Sequence, residues 1–136
     1  MKMKNIALVV SDFNEKITSK MEKNAEKTAK SLKAGIINKI HVPGVFEIPF
    51  ASKKLFKDKK IDAIVVLGAV IQGDTYHDVV IVNAVSQKLM DLSIQYNKPV
   101  GFGIIGPRVT YPQAESRALE YSKRAVKAAL ELVKMK

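Results

Sequence analysis

The chain contains no cysteine and no tryptophan, and histidine occurs at only two of its 136 positions. The absence of cysteine excludes a disulfide framework and a thiolate metal site. Because His41 and His77 are far apart in the sequence, they are poor candidates for a shared metal centre, and we expect no metal. No apolar run approaches the roughly 20 residues of a membrane helix, and no segment resembles a signal peptide. We therefore expect a cytoplasmic protein with no membrane partner.

The formal net charge of +10 invites comparison with nucleic-acid-binding proteins. The lysines, however, are mixed with acidic residues, and no aromatic residues lie between them to stack on bases. They lie mainly along one helical segment and in residues 53–60, the helical ones being Lys16, Lys20, Lys23, Lys27 and Lys30. We interpret both groups as solvated surfaces and expect no nucleic-acid partner.

Four apolar runs of β type alternate with helical patterns, which predicts an α/β fold with a parallel sheet. The predicted strands cover residues 5–10, 36–42, 62–71 and 99–105. The third run is almost uninterruptedly apolar, as a central strand is when helices cover both of its faces. The chain is long enough for one buried core, so residues 1–136 are predicted to form a single domain.

Helical periodicity and helix breakers place the segments between the strands. The first helix is predicted to pack on the sheet through Ile17, Met21, Ala25, Thr28 and Leu32, and Gly35 is predicted to end it. Pro49 fits the first turn of a short helix that extends to about Phe56, with Glu47 just ahead of it. The predicted packing face of the last helix consists of Ala114, Ala118, Tyr121, Ala125, Ala128 and Leu132.

The helix predicted for residues 76–96 differs from the others, because its apolar residues surround more than one face. They are Val79, Val80, Ile81, Val82, Ala84, Val85, Leu89, Met90, Leu92 and Ile94. Such a helix must be covered on more than one side. A single chain of this size does not easily provide that cover, so we infer a homo-oligomer.

Polar or unusual residues follow each predicted strand, in residues 11–14, 43–47, 72–77 and 106–108. The carboxyl ends of parallel strands share one edge of a sheet, where ligands of such folds bind. Gly73 breaks the third apolar run, and Asp74 and Thr75 are predicted to cap the following helix, whose free N–H groups attract anions. His77 is therefore expected at a ligand site.

Each of these residues has a structural alternative. Phe13 could be a hydrophobic staple at a helix start instead of a platform for a ring, and Glu47 could favour the positive end of a helix dipole instead of binding a ligand. His77 considered alone could equally be structural. Together they predict a pocket for a small, planar, polar ligand with an anionic group, in which His77 moves protons near neutral pH. The residues alone indicate a phosphate-handling α/β enzyme of undefined substrate.

Four motifs are specific in combination. They are Asp12-Phe13-Asn14 followed by Ile17-Thr18, Val42-Pro43-Gly44-Val45-Phe46-Glu47-Ile48-Pro49, the run of residues 68–77, and Pro99-Val100-Gly101-Phe102-Gly103. Together they resemble the 6,7-dimethyl-8-ribityllumazine synthase family of riboflavin biosynthesis, from the first strand to the last helix. The resemblance implies a three-layer α/β/α sandwich with a four-stranded parallel sheet, a flavodoxin-like fold.

The resemblance also implies an activity. It is that of a transferase that condenses 5-amino-6-(D-ribitylamino)uracil with 3,4-dihydroxy-2-butanone 4-phosphate and releases phosphate and water, without metal or organic cofactor. The residues implied for the ring and the ribityl chain are Phe13, Val45, Phe46, Glu47, Val70, Ile71 and, from a neighbouring subunit, Phe102. Those implied for the substrate phosphate are Gly73, Asp74, Thr75 and Arg117, and His77 is the implied catalytic proton shuttle.

The sequence departs from the family pattern in places. Asp74 puts a carboxylate beside the implied phosphate site, so we expect its backbone N–H to bind and its side chain to point away. Residues 106–111 and the Lys123-Arg124 pair also differ from the commonest family sequence. We expect a homopentamer, which completes the site in this family. Assembly of pentamers into a shell of sixty subunits is a further alternative.

Two other functions remain as alternatives. An archaeal-type riboflavin synthase has a related fold but lacks the G-x-T-x-H arrangement that Gly73, Thr75 and His77 supply here. A non-catalytic lumazine- or flavin-binding protein would keep the pocket without turnover.

Overall fold

Strands and helices alternate along residues 2–136, which the computed structural model describes. In chain order the elements are β1 (Asn5–Ser11), α1 (Glu15–Ser31), β2 (Gly35–Val42), a 3₁₀ turn (Val45–Glu47), α2 (Ile48–Lys57), β3 (Ala63–Ala69), α3 (His77–Tyr96), β4 (Val100–Ile105) and α4 (Tyr111–Val133). The four strands form one parallel sheet in the order β2-β1-β3-β4. The predicted strands are all present, each within two residues of its expected ends.

The two central strands are buried because helices cover both faces of the sheet. Every residue of β3 is buried, and in β1 only Asn5 is partly exposed. One apolar cluster joins a face of the sheet to α1 and α4, and a second joins the opposite face to α2 and α3. Each fully buried Leu or Ile in these clusters contributes about 1.5–3 kcal/mol. The prediction of a three-layer, flavodoxin-like α/β/α sandwich is confirmed.

The register of the strands brings their carboxyl ends to one edge of the sheet. Ser11 pairs with Val42 between β1 and β2, and Ala69 pairs with Ile105 between β3 and β4. Gly68 adds a close packing contact at this edge, since a Cβ atom built on it would lie 2.6 Å from Cγ2 of Val45. Glycine there allows the 3₁₀ turn to pack directly against β3.

The end of α1 differs from the prediction. The helix stops at Ser31, and Lys33, with φ of 60°, has the left-handed conformation that ends it, not the predicted Gly35. The N–H of Ala34 donates a 2.9 Å hydrogen bond to the carbonyl oxygen of Ala29, which is the closing bond of a Schellman motif. Gly35 instead begins β2. Leu32, predicted to pack on the sheet, is exposed.

The start of α3 also differs. Tyr76 is the N-cap residue and provides no side-chain hydrogen bond, so the prediction of Asp74 and Thr75 as caps is wrong. Residues 73–75 form a loop ahead of the helix. The Thr75 hydroxyl still accepts a 3.3 Å hydrogen bond from the N–H of His77, the first helical residue.

Apolar side chains of α3 and α4 divide between the core and the surface. On α3, Val82, Val85 and Leu89 are buried, whereas the large side chains of Val80, Met90 and Ile94 are exposed. On α4 the predicted Ala128 and Leu132 face outward, and the face is completed by Ser122, Val126, Ala129 and Leu130 instead. Among residues 2–136 no helix has the combined length and hydropathy needed to cross a bilayer.

Candidate active site

A cleft of about 770 Å³ opens at the carboxyl edge of the sheet. The loops after β1, β2 and β3 and the first turn of α3 form its walls. Of the twelve candidate residues, nine line it: Phe13, Val45, Phe46, Glu47, Val70, Ile71, Gly73, Thr75 and His77. The fold thus brings together residues from three separate motifs.

The loop after β1 holds Phe13 at the mouth of the cleft. The N–H of Phe13 donates a 3.1 Å hydrogen bond to the carbonyl oxygen of Pro43. Asn14 follows with φ of 65°, and its side chain donates a 2.8 Å hydrogen bond to the carbonyl oxygen of Ala69. The Phe13 side chain is 70% exposed, so most of the ring is free to be covered by a ligand. This exposure does not support the hydrophobic-staple alternative.

The 3₁₀ turn forms the second wall. Val45 is buried against Gly68, whereas Phe46 and Glu47 are exposed and line the cleft. Glu47 is also the N-cap residue of α2, although its side chain makes no capping hydrogen bond. Its carboxylate therefore lies both at the positive end of a helix dipole and beside the cleft.

Val70 and Ile71 form the floor, just beyond the end of β3. The N–H of Val70 donates a 2.8 Å hydrogen bond to Ile105, and the N–H of Gln72 donates one of 2.8 Å to Val109. The pairing of β3 with β4 therefore continues into the loops. Since the N–H of Val70 is already paired, that group is not free for a ligand.

The loop of residues 73–75 forms the end of the cleft next to α3. A Cβ atom built on Gly73 meets no heavy atom within 4 Å, so the loop is open at this point. Asp74 is exposed and does not line the cleft. His77 is exposed on the cleft wall, where its imidazole can reach a ligand and exchange protons with it.

An ion pair behind this loop was not predicted. The carboxylate of Asp78, which is only 2% exposed, accepts hydrogen bonds from the Arg108 side chain at 3.0 Å (Nε) and 2.6 Å (Nη2). These bonds lower the pKa of Asp78 to about 2 and raise the pKa of Arg108. In the sequence, Arg108 was visible only as part of the cluster after the fourth strand. No local sequence pattern indicated that the partner of Arg108 lies thirty residues earlier in the chain.

Besides Asp74, two further predicted site residues lie outside the cleft of the single chain. Phe102, 38% exposed on β4, borders a separate depression together with Tyr121 and Arg124. Arg117 is exposed on α4 and does not line the cleft. Among residues 2–136 no group of three or more His, Asp or Glu side chains is arranged to hold a metal ion.

One cleft of this parallel α/β fold is surrounded by an aromatic ring, a carboxylate, an open loop and an imidazole. Together these features define a class of enzyme that acts on small polar molecules. The family described as 6,7-dimethyl-8-ribityllumazine synthase matches residues 3–136. The chain belongs to this family.

Individual relatives agree with the family match. The 6,7-dimethyl-8-ribityllumazine synthase of Methanocaldococcus jannaschii is 48% identical over 132 residues, covering 97% of this chain and 93% of the relative. The enzyme of the same name from Methanococcus vannielii is 46% identical over 132 residues, with 97% and 94% covered. That from Methanopyrus kandleri is 46% identical over 129 residues, with 95% and 91% covered. The similarity therefore extends over nearly the whole of each chain.

Proposed function

We propose that the cleft is the active site in which this chain condenses 5-amino-6-(D-ribitylamino)uracil with 3,4-dihydroxy-2-butanone 4-phosphate. The products are 6,7-dimethyl-8-ribityllumazine, phosphate and water, and the reaction is a transferase step of riboflavin biosynthesis. The family match carries this assignment. The observation that locates the reaction is the convergence of Phe13, Glu47 and His77 on one cleft.

The pyrimidine ring and its ribityl chain occupy the part of the cleft between the first two walls. The exposed ring of Phe13 stacks on the pyrimidinedione. The 3₁₀ turn, with Val45, Phe46 and Glu47, contacts the ribityl chain, and the carboxylate of Glu47 accepts hydrogen bonds from its hydroxyl groups. Val70 and Ile71 contact the ring from the floor.

The phosphate of the second substrate binds at the loop of residues 73–75. The loop is open at Gly73 and lies just ahead of α3, so its backbone N–H groups and the helix dipole favour an anion. Thr75 and the backbone N–H of Asp74 take part, and the Asp74 side chain stays outside. His77, at the first position of α3, is close to both substrates.

The chemistry requires positioning and proton transfer. The amino group on the uracil attacks the ketone, and loss of water gives an imine. Phosphate is then eliminated, and the ribitylamino nitrogen closes the second ring with loss of another water. His77 moves protons in these steps. Since the nucleophile belongs to the substrate, orientation contributes up to about 7–11 kcal/mol and proton transfer about 10²–10⁴-fold.

The site is completed by a neighbouring subunit in a homopentamer. Phe102 and Arg117 lie outside the cleft of their own chain, and the exposed apolar side chains of α3 need cover. Arg117 of one chain then contacts the phosphate in the cleft of the next, while Phe102 covers the ring. A shell of sixty subunits is the larger alternative. The single domain and the cytoplasmic location stay predictions.

One assay tests the activity. The purified protein is mixed with both substrates, and lumazine absorbance and phosphate release are followed together. Equal amounts of lumazine and phosphate support the condensation. Conversion of lumazine alone to riboflavin indicates the riboflavin synthase alternative, for which the comparisons give no support. Binding without turnover indicates a lumazine- or flavin-binding protein.

A further inference from the structure

Arg108 lies in the loop between β4 and α4, immediately behind the loop of residues 73–75. Its backbone is in the left-handed region, with φ of 60°. This conformation is uncommon for a residue other than glycine and is kept only where surrounding contacts enforce it. At Arg108 the backbone N–H donates a 2.7 Å hydrogen bond to Oδ2 of Asp78. The strained conformation is therefore tied to a specific partner on α3.

The Arg108 side chain connects Asp78 to the loop itself. Nε and Nη2 donate to the two carboxylate oxygens of Asp78, and Nη2 also donates a 3.2 Å hydrogen bond to the carbonyl oxygen of Thr75. The guanidinium group lies over the ring of Tyr76, 4.6 Å from its centre. Thr75, the last residue of the loop, and Tyr76, the N-cap residue of α3, are thus both held by one side chain.

The pair cannot be loosened from one side without cost. Asp78 is almost completely buried, so removing Arg108 leaves a buried carboxylate that has lost its charged partner. Gly106 adds a constraint from the same loop, because a Cβ atom built on it would lie 2.5 Å from the carbonyl oxygen of Val70. The loop after β4 therefore fits closely against the cleft floor.

We propose that the Arg108–Asp78 pair is a positioning device that fixes residues 73–75 in the conformation that binds the substrate phosphate. Arg108 acts through Thr75 and Asp78 and does not touch the phosphate. The inference rests on the proposed function, because it assumes that the phosphate binds at this loop.

The direction in which Asp78→Asn changes the affinity for phosphate separates positioning from simple charge attraction. Replacing Asp78 by Asn removes a negative charge near the anion site and keeps the shape of the side chain. If long-range charge controlled affinity, Asp78→Asn would bind phosphate more tightly. If the pair positions the loop, Asp78→Asn binds phosphate more weakly, because the bidentate contact to Arg108 is lost.

The experiment measures binding of inorganic phosphate by calorimetry, and the KM of each substrate, in the intact assembled protein. The variants are Asp78→Asn, Arg108→Gln, Arg108→Lys and the double variant. Glu131→Gln is the matched control, since it breaks an exposed ion pair with Lys134 on α4. Gly73→Ala tests the phosphate position independently. The added methyl group meets no protein atom and leaves the fold unchanged, but it enters the open space where the phosphate is proposed to bind.

We expect Asp78→Asn and Arg108→Gln each to weaken phosphate binding, and to raise the KM of the butanone phosphate, on the order of 10-fold. The KM of the ribitylaminouracil stays within about twofold of its value in the unchanged protein. The double variant binds phosphate no more weakly than the single variants, since each single change already breaks the pair. Arg108→Lys restores part of the affinity. Glu131→Gln behaves like the unchanged protein.

Unchanged or tighter phosphate binding in Asp78→Asn overturns the inference, as does a loss confined to the Arg108 variants, which would make Arg108 a direct ligand. If Gly73→Ala weakens phosphate binding while both pair variants do not, the positioning role fails and the proposed function stands. If the unchanged protein binds no phosphate, or Gly73→Ala has no effect, the proposed phosphate site fails and the inference fails with it. Should Arg108→Gln not fold, Asp78→Asn decides alone.

Discussion

The side chain of Asn14 donates a 2.8 Å hydrogen bond to the carbonyl oxygen of Ala69, which joins the loop after β1 to the end of β3 across the base of the cleft. Asn14 does so from a left-handed backbone conformation, with φ of 65°. The position of Phe13, the residue before it, therefore depends on this bond.

Two substitutions at Asn14 separate the bond from the backbone conformation. Asn14→Gly keeps access to positive φ and loses the bond, so it should lower the free energy of unfolding by about 0.5–1.5 kcal/mol. Asn14→Ala should cost roughly 1 kcal/mol more, because alanine disfavours the left-handed region. Denaturant unfolding at a fixed protein concentration measures both. Equal losses for the two variants would contradict this account of the backbone.

Glu47 is predicted to set the preference for the ribityl chain. Glu47→Gln should reduce discrimination between the natural uracil substrate and an analogue without side-chain hydroxyls, roughly 10-fold, because a charged acceptor becomes neutral. The ratio of the two kcat/KM values is the measurement. If that ratio does not change, the carboxylate serves only the N-terminus of α2.

His77 is predicted to contribute proton transfer and not binding. His77→Ala should lower the single-turnover rate by a factor on the order of 10–10³, since positioning of the reactants survives. Affinity for both ligands should stay largely intact. Loss of binding would make His77 a structural residue, and an unchanged rate would assign proton transfer to solvent or substrate.

Sharing of the site between subunits can be tested by complementation. His77→Ala and Arg117→Ala subunits, each of low activity, are co-expressed with different tags, and the mixed oligomers are purified. If Arg117 acts in the neighbouring cleft, roughly a quarter of the sites in an equal mixture recover both residues. Oligomers made only of the double variant are the control and should recover none. No gain in the mixture would place Arg117 in its own cleft or outside the site.

A pH dependence is predicted at His41, beside the Phe13 loop. Its Nδ1 lies 2.6 Å from Asp12 and its Nε2 lies 3.1 Å from Glu22, contacts that raise its pKa above 6.5. The stabilisation that these contacts give the folded protein is complete below pH 6.5. It is lost as the pH rises through the raised pKa of His41, because the neutral ring no longer pairs with both carboxylates. The unfolding free energy of the unchanged protein should approach that of His41→Asn over this range. If the difference in unfolding free energy between the two proteins instead grew with pH, the predicted direction of the pH dependence would be wrong.

Much of the fold follows from periodicity in the sequence. The almost uninterrupted apolar run that contains β3 predicts a strand covered on both faces, and both apolar clusters confirm it. Since parallel strands share one carboxyl edge, the residues that follow β1, β2 and β3 could be assigned to one place without knowing the strand order. Nine of the twelve candidate residues accordingly line one cleft.

Features set by tertiary contacts could not be predicted in this way. Glycine is the preferred residue to end a helix, yet Lys33 takes that role because Gly35 is already paired in β2. Thr75 and Asp74 have good capping side chains, but Val70 and Gln72 are still bonded to the chain beyond β4, and α3 begins only at His77. The Arg108–Asp78 pair depends on the approach of two loops, which no local pattern encodes.

The location of the reaction is tested most directly by a crystal structure of the assembled protein with 6,7-dimethyl-8-ribityllumazine and inorganic phosphate bound. The account predicts the lumazine ring against Phe13, the ribityl chain along the 3₁₀ turn beside Glu47, and phosphate within hydrogen-bonding distance of the backbone N–H groups of residues 73–75. His77 should lie between the two ligands. Product bound elsewhere on the protein, or phosphate away from this loop, would contradict the account.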